Sequence, residues 1–148
     1  MTFNADLIGK HYSEVRLDVT ADGVASFSRA IGERNPVFLD ADAAEALGLA
    51  GQAAPPTILA WLQIVAVQEI TSDPLIGASF DGIVHTEQAY DWARPVLVGD
   101  NLTTIPTIAD IRTKGNLSFL DVHLDVRDGD GEHVVLSRST LIEIVPDA

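Results

Sequence analysis

The chain contains no cysteine in its 148 residues, which excludes a disulfide framework, a thiolate metal site and a cysteine nucleophile together. Basic residues are scarce: 9 Lys and Arg stand against 22 Asp and Glu, for a formal charge of −13. Nucleic acid is thereby excluded as a partner, because a phosphate backbone must be neutralised by clustered cations and the few present are scattered. No run of about 20 apolar residues is available to span a bilayer, so no membrane partner is expected. The first ten residues lack a basic segment followed by an apolar stretch, so no secretory leader is expected and the reading is a soluble, cytoplasmic protein. Repeats, low-complexity tracts, linkers, glycine-rich phosphate loops and a serine nucleophile elbow are all missing. His11, His123 and His133 have no metal-ligand spacing, and no metal is expected.

What is present is a 47% hydrophobic chain, long enough for one domain over 1–148 and short for two. Residues 12–19 read as a strand. Thr20 is placed to cap a helix over 21–31, with Val24, Phe27, Ala30 and Ile31 on one face and Gly32 as its stop. Asp40 caps a second, short helix over 41–47 closed by Gly48; the acids Asp40, Asp42 and Glu45 there suit the helix dipole rather than a metal. After a small-residue loop, Pro55-Pro56-Thr57 opens a helix through Ile70 that is apolar on every side and should therefore lie inside the molecule, ending before Pro74. Period-two segments follow at 83–95, 102–112, 117–127 and 134–145, separated by glycine turns, and Pro106 marks a bulge or local edge in the second. The fold class is α+β: an antiparallel sheet wrapped around a long central apolar helix.

Residues 31–40 read Ile-Gly-Glu-Arg-Asn-Pro-Val-Phe-Leu-Asp. Gly32, Asn35, Pro36, Val37 and Asp40 resemble the signature of the MaoC-like dehydratases and (R)-specific enoyl-CoA hydratases, in which the order is Gly, Asp, any residue, Asn, Pro, an aliphatic, His, any residue, Asp. Glu33 stands in the place of that family's catalytic Asp and Phe38 in the place of its catalytic His. The loop Ala54-Pro55-Pro56-Thr57, the strand Val84-His85-Thr86-Glu87-Gln88 and the turn from Arg94 to Asp100 are similar to the FAS1-like dehydratase branch. The similarity runs over 8–145 and implies the hot-dog fold. It extends to small actinobacterial proteins that serve as non-catalytic, substrate-binding subunits of (3R)-hydroxyacyl-thioester dehydratases.

The resemblance implies an acyl-CoA or acyl carrier protein thioester as ligand, no cofactor, and either a homodimer or a heterodimer with a MaoC-like catalytic subunit. Both ligands are anionic, so local arginines or the partner must supply positive charge. Hydration of a 2-enoyl thioester needs one group to exchange a proton at the α-carbon and another to handle water at the β-carbon. Phe38 carries no proton, and Glu33 is a methylene longer than Asp. The carry-over assigns Asn35 and Pro36 to the degenerate loop and Ala54, Pro55, Pro56 and Thr57 to the thioester carbonyl. It also implies a loop brought across from the other subunit. Helix position makes Trp61, Leu62 and Val65 candidates for the acyl wall. Each has a structural alternative: Phe38 as packing, Glu33 as a solvated acid, His85 as a hydrogen-bonded strand residue, and Thr57 as a helix-start residue bonding its own backbone. Two other functions stay open, a self-sufficient homodimeric dehydratase or cyclase using Glu33 or His85, and a binding or scaffold protein without chemistry.

Overall fold

Local capping chemistry sets the first helix. In the computed structural model, which describes residues 2–78 and 82–144, Thr20 is extended and its hydroxyl accepts the Gly23 N–H at 3.1 Å. Helix α1 then runs Ala21–Ile31 and stops where Gly32 turns left-handed at φ 71°, its N–H returning to the Arg29 carbonyl. Asp40 caps α2 in the same way, accepting the Ala43 N–H at 2.9 Å. That helix covers Ala41–Glu45, shorter than 41–47, because the Leu47 N–H closes on Ala44 in a tighter turn ahead of Gly48. Pro56–Leu59 forms a 3-10 turn that leads into α3, Ala60–Ser72, and Asp73 ends it by accepting the Leu75 N–H.

Six strands make one antiparallel sheet: β1 Val15–Asp18, β2 Ile83–Trp92, β3 Asn101–Thr104, β4 Thr107–Lys114, β5 Leu117–Arg127 and β6 His133–Ile144. Their order is β1-β3-β5-β6-β2, with β4 alongside β5. The segment expected at 102–112 is thus two strands, because Pro106 cannot donate to the ladder and its carbonyl instead accepts from Tyr12. The first strand is shorter than 12–19 for the same reason, since residues 11 and 12 pair at that break. Strand β2 ends at Trp92, short of the expected 95, with Arg94 already in an ion-pair cluster. The last strand begins one residue early; Val145 lies outside the described residues.

Along β5 burial alternates strictly, with Leu120, Val122, Leu124 and Val126 inward. Helix α3 packs on that face through Leu62, Ala66 and Ile70, with Leu59 of the preceding turn in line with them, spaced for one side of a helix and all essentially inaccessible. Burying each such leucine or isoleucine contributes about 1.5–3 kcal/mol before entropy is counted. A short polar seam joins helix to sheet: buried Gln63 donates to Ser139 at 2.5 Å and accepts from Ser137, which in turn accepts from Gln88. The N-terminal segment is tied to the end of α3 by Lys10 and Tyr12, both bonded to Asp73, and by Ser13 on Glu69.

The helix is enclosed on one side only. Trp61 and Ile64, on the opposite face, are 56% and 62% exposed. Helix α3, which also carries Gln68 and Glu69, therefore covers one face against its own sheet and leaves the other exposed, where the sequence pattern led to the expectation of a helix enclosed on every side.

Candidate functional site

Val37 and Phe38 pack with Ala44, Leu49, Ala53 and Leu97 as a small cluster apart from the main core. The loop that carries them is held by its own polar groups. Asn35 Oδ1 accepts the Val37 N–H at 3.2 Å and opens the 3-10 turn Pro36–Phe38, while Gln52 donates to the Phe38 carbonyl at 2.9 Å. Ala53 donates to the Val37 carbonyl and Ala54 to that of Val96. These bonds lock three sequence-distant segments around an apolar cleft of about 480 Å³. Phe38, Leu49, Ala54, Pro56, Trp92 and Val96 form its walls. Within one chain the degenerate loop thus meets the helix-opening loop.

Of the residues singled out in the sequence, Phe38, Ala54 and Pro56 line the cleft. Pro55 is buried beside them, and Asn35, Pro36 and Thr57 are exposed on the flanking turns. Since Pro55 and Pro56 have no N–H, Thr57 carries the first backbone donor after Ala54. Glu33 does not line the cleft. One of its carboxylate oxygens accepts the Arg34 and Asn35 N–H groups, each at 2.8 Å, which makes it a turn-forming acid.

His85 is elsewhere. Its Nε2 lies 3.0 Å from the Glu87 carbonyl, and its ring borders a depression with Gln63, Ile64 and Thr71 of α3. Trp61 borders a separate small groove with Leu17, Val19 and Phe27. Leu62 belongs to the core and Val65 is half-buried against it. The structure does not gather Phe38, Glu33, His85 and Trp61 into one pocket. The other histidines serve surface contacts: His11 with Thr107, His133 with Asp125, and His123 on the outer sheet face, where burial and then the nearby Arg138 hold its pKa below the usual value.

Trp92 and Arg94 are cleft residues that sequence reading did not assign. Trp92 tilts against Tyr90 with ring centroids 5.6 Å apart. The Arg94 guanidinium is bidentate to Asp100 at 2.7 and 3.1 Å and reaches Asp128 at 3.0 Å. Those bonds to Asp100 raise its pKa, and Arg94 in turn holds the Asp128 carboxyl below its ordinary value. Two carboxylates thus occupy the one cation at the cleft, which braces the wall and leaves no spare charge for a phosphate. The resemblance to a strand-and-turn motif over Arg94 to Asp100 was the available signal. Among the described residues no cluster of His, Asp or Glu is arranged to hold a metal ion, and no helix is long and apolar enough to cross a membrane.

A family model described as the FAS1-like dehydratase domain region matches residues 6–137. A UPF0336 protein of Streptomyces coelicolor is 34% identical over 143 residues, covering 96% of this chain and 95% of that protein. Another UPF0336 protein, from Clavibacter michiganensis, is 38% identical over 130 residues, covering 88% and 87%. Among solved structures, a chain of the C-terminally truncated HadBC (3R-hydroxyacyl-ACP dehydratase) complex from Mycobacterium tuberculosis is similar with a TM-score of 0.76 at 26% identity, over 93% of this chain and 97% of that one. A MaoC-like dehydratase gives a TM-score of 0.85 at 24% identity over 95% of this chain and 43% of that one, a likeness of fold. The six-stranded antiparallel sheet with its packed helix is the hot-dog fold, and by the family match and these relatives the chain belongs to the FAS1-like dehydratase-region family.

Proposed function

We propose that this chain is the non-catalytic, acyl-thioester-binding subunit of a (3R)-3-hydroxyacyl-thioester dehydratase or enoyl hydratase, a single cytoplasmic domain that acts with a MaoC-like catalytic partner. The observation that carries the reading is the chemistry of the cleft. Its wall at the family's histidine position is Phe38, and Arg94, its titratable side chain, is held in ion pairs. A proton cannot be exchanged at one carbon of an enoyl thioester while water is handled at the next without two groups that bind and release protons. Glu33 has an oxygen committed to its own turn, and His85 lies in a different depression beside α3. The self-sufficient reading would need both to reach the cleft.

Binding remains open to such a cleft. Its apolar walls suit a hydrocarbon group, and Thr57, on the turn that flanks it, carries the one backbone N–H of the Ala54 to Thr57 loop that is neither removed by proline nor given to Val96, a donor for a carbonyl oxygen. The similarity to a chain of a 3R-hydroxyacyl-ACP dehydratase complex supports a role within a heteromeric enzyme of that class. The test is hydration of a 2-enoyl thioester such as crotonyl-CoA by the purified chain, alone and with a MaoC-like protein that retains the Asp and His. No turnover alone, and an altered acyl preference of the mixture relative to the partner alone, is the expected result. Turnover by the unmixed, unmutated chain at rates usual for a hydratase overturns the reading.

A further inference from the structure

Past Trp92 the wall of the cleft leaves the sheet. The Ala93 N–H still reaches the Val134 carbonyl at 2.9 Å, that of Arg94 only at 3.5 Å, and the next backbone tie printed by the fold is at Val96, whose carbonyl accepts from Ala54. Arg94 and Pro95 therefore cross a gap in the ladder while lining the cleft. Their position falls to the Arg94 side chain. Its Nη1 donates to the Pro95 carbonyl at 3.0 Å and to Asp100, which also accepts the Leu97 N–H at 2.9 Å. All of these groups belong to one segment, so their bonds shape it without fixing it to the rest of the molecule.

Asp128 supplies the outside reference. It stands in the turn between β5 and β6 and is not one of the cleft's lining residues. One of its carboxylate oxygens accepts the Asp130 and Glu132 N–H groups at 3.1 and 3.0 Å, and the other accepts from Arg94 Nη2 at 3.0 Å. The turn is itself firm: the Asp128 N–H closes on the Glu132 carbonyl, and Arg127 of β5 donates to the Gly131 carbonyl at 2.9 Å. Neutralising Arg94 does not require this second acid, because Asp100 already pairs the guanidinium bidentately. A further carboxylate brings repulsion against Asp100 at a place where each of the two side chains is only 17% exposed. What it contributes is direction, since the turn amides aim it and it in turn aims the arginine.

We propose that Asp128 is a positioning residue of the cleft: through Arg94 it holds the wall from Trp92 to Val96 in place, so that a turn outside the cleft sets the affinity for the apolar part of the ligand. The effect on affinity rests on the acyl-thioester reading above; the placement of the wall does not.

The test uses the full chain carrying Trp61→Phe, which leaves Trp92 as the one tryptophan and a reporter on the wall. Asp128→Asn keeps an oxygen for the turn amides and removes the charge that faces Arg94. In a chain shown by circular dichroism to be folded, it should raise the quenching of Trp92 by acrylamide and shift its emission. Calorimetry with hexanoyl-CoA should show binding weakened at least about fivefold. Asp128→Glu, which keeps the charge and lengthens the reach, should change both readouts in the same direction but less, and it carries the test if the asparagine variant does not fold. Glu132→Gln, an exposed side chain in the same turn, should change neither. In an Arg94→Ala background Asp128→Asn should add nothing, because the group that transmits its effect is gone. A brace that serves stability alone would lower the melting temperature and leave Trp92 and the affinity unmoved, and that result overturns the proposal. A full further loss from Asp128→Asn in the absence of Arg94 overturns it too. If no chain, wild type included, binds hexanoyl-CoA, the acyl-thioester reading fails, and the quenching of Trp92 by itself decides whether Asp128 places the wall.

Discussion

The cleft around Phe38 and the face made by α3 and β2 both show large apolar groups to solvent, but they differ in what their backbones have left to give. Around the cleft the polypeptide is closed on itself: Ala53 donates to Val37, Ala54 to Val96, and Gln52 covers the Phe38 carbonyl. Such a place offers side-chain surface and almost nothing else, which suits part of a small apolar ligand. Along β2 the ladder is half used, so backbone and side chains are offered together, which suits another chain. Phe38, at the histidine position of the family motif, stands in the first of these surfaces and not in the second.

The sharpest way to break that comparison is across α3 itself. Leu62→Ala removes a fully buried side chain from the core and should cost about 2–5 kcal/mol of stability in urea or guanidinium unfolding. Trp61→Ala, one residue away on the bare face, should stay within about 0.5 kcal/mol for the isolated chain. Equal losses at both positions would mean that the outer face is already covered.

Next in size is Arg94→Ala. It strips a partly exposed guanidinium from Asp100 and Asp128 at the cleft wall and should cost about 1–2 kcal/mol, with the cleft loosened. Arg94→Lys should recover only part, because a lysine cannot make the bidentate contact. Phe38→Ala should cost about 1 kcal/mol, since the ring is only half-buried, while weakening the binding of an apolar acyl thioester measured by calorimetry. Unchanged binding would take the ligand out of this cleft.

A smaller effect is expected in the pH dependence. Hydrogen bonding from Lys10, then from the Leu75 backbone, holds the Asp73 carboxyl below its ordinary value. Its contribution is present above the unfolded carboxylate value of about 3.9 and fades as pH falls through the lower folded value. The melting temperature of Asp73→Asn should therefore lie below that of the wild type at neutral pH, and the gap should close on acidification. Smallest of all is Glu33→Gln, which keeps an oxygen for the Arg34 and Asn35 N–H groups and should change stability by less than about 0.5 kcal/mol.

Helix α1 was legible to the residue because Thr20 and Gly32 act within a turn of its ends. Strand β5 was legible because a sheet with one face covered writes its alternation into the chain. The strand over 102–112 was legible only as far as Pro106 announced a disturbance; that it becomes a full break, filled by residues 11 and 12, depends on a segment some 95 positions away. The site divides along the same line. Phe38, Ala54 and Pro56 were found by motif and meet at the cleft, whereas Trp92 and Arg94 were passed over and His85 and Trp61 fall on other surfaces.

By itself the sequence determined the element types and the acidic balance, because capping, period and residue chemistry are local properties, and its motif over Gly32 to Asp40 carried the resemblance to the family with Phe38 at the histidine position. Tertiary structure alone decided that the largely apolar helix α3 covers only one of its faces and that Arg94 is spent on two carboxylates. Each of those outcomes depends on which distant groups come within bonding distance, and on which side of the sheet, and no local pattern encodes that.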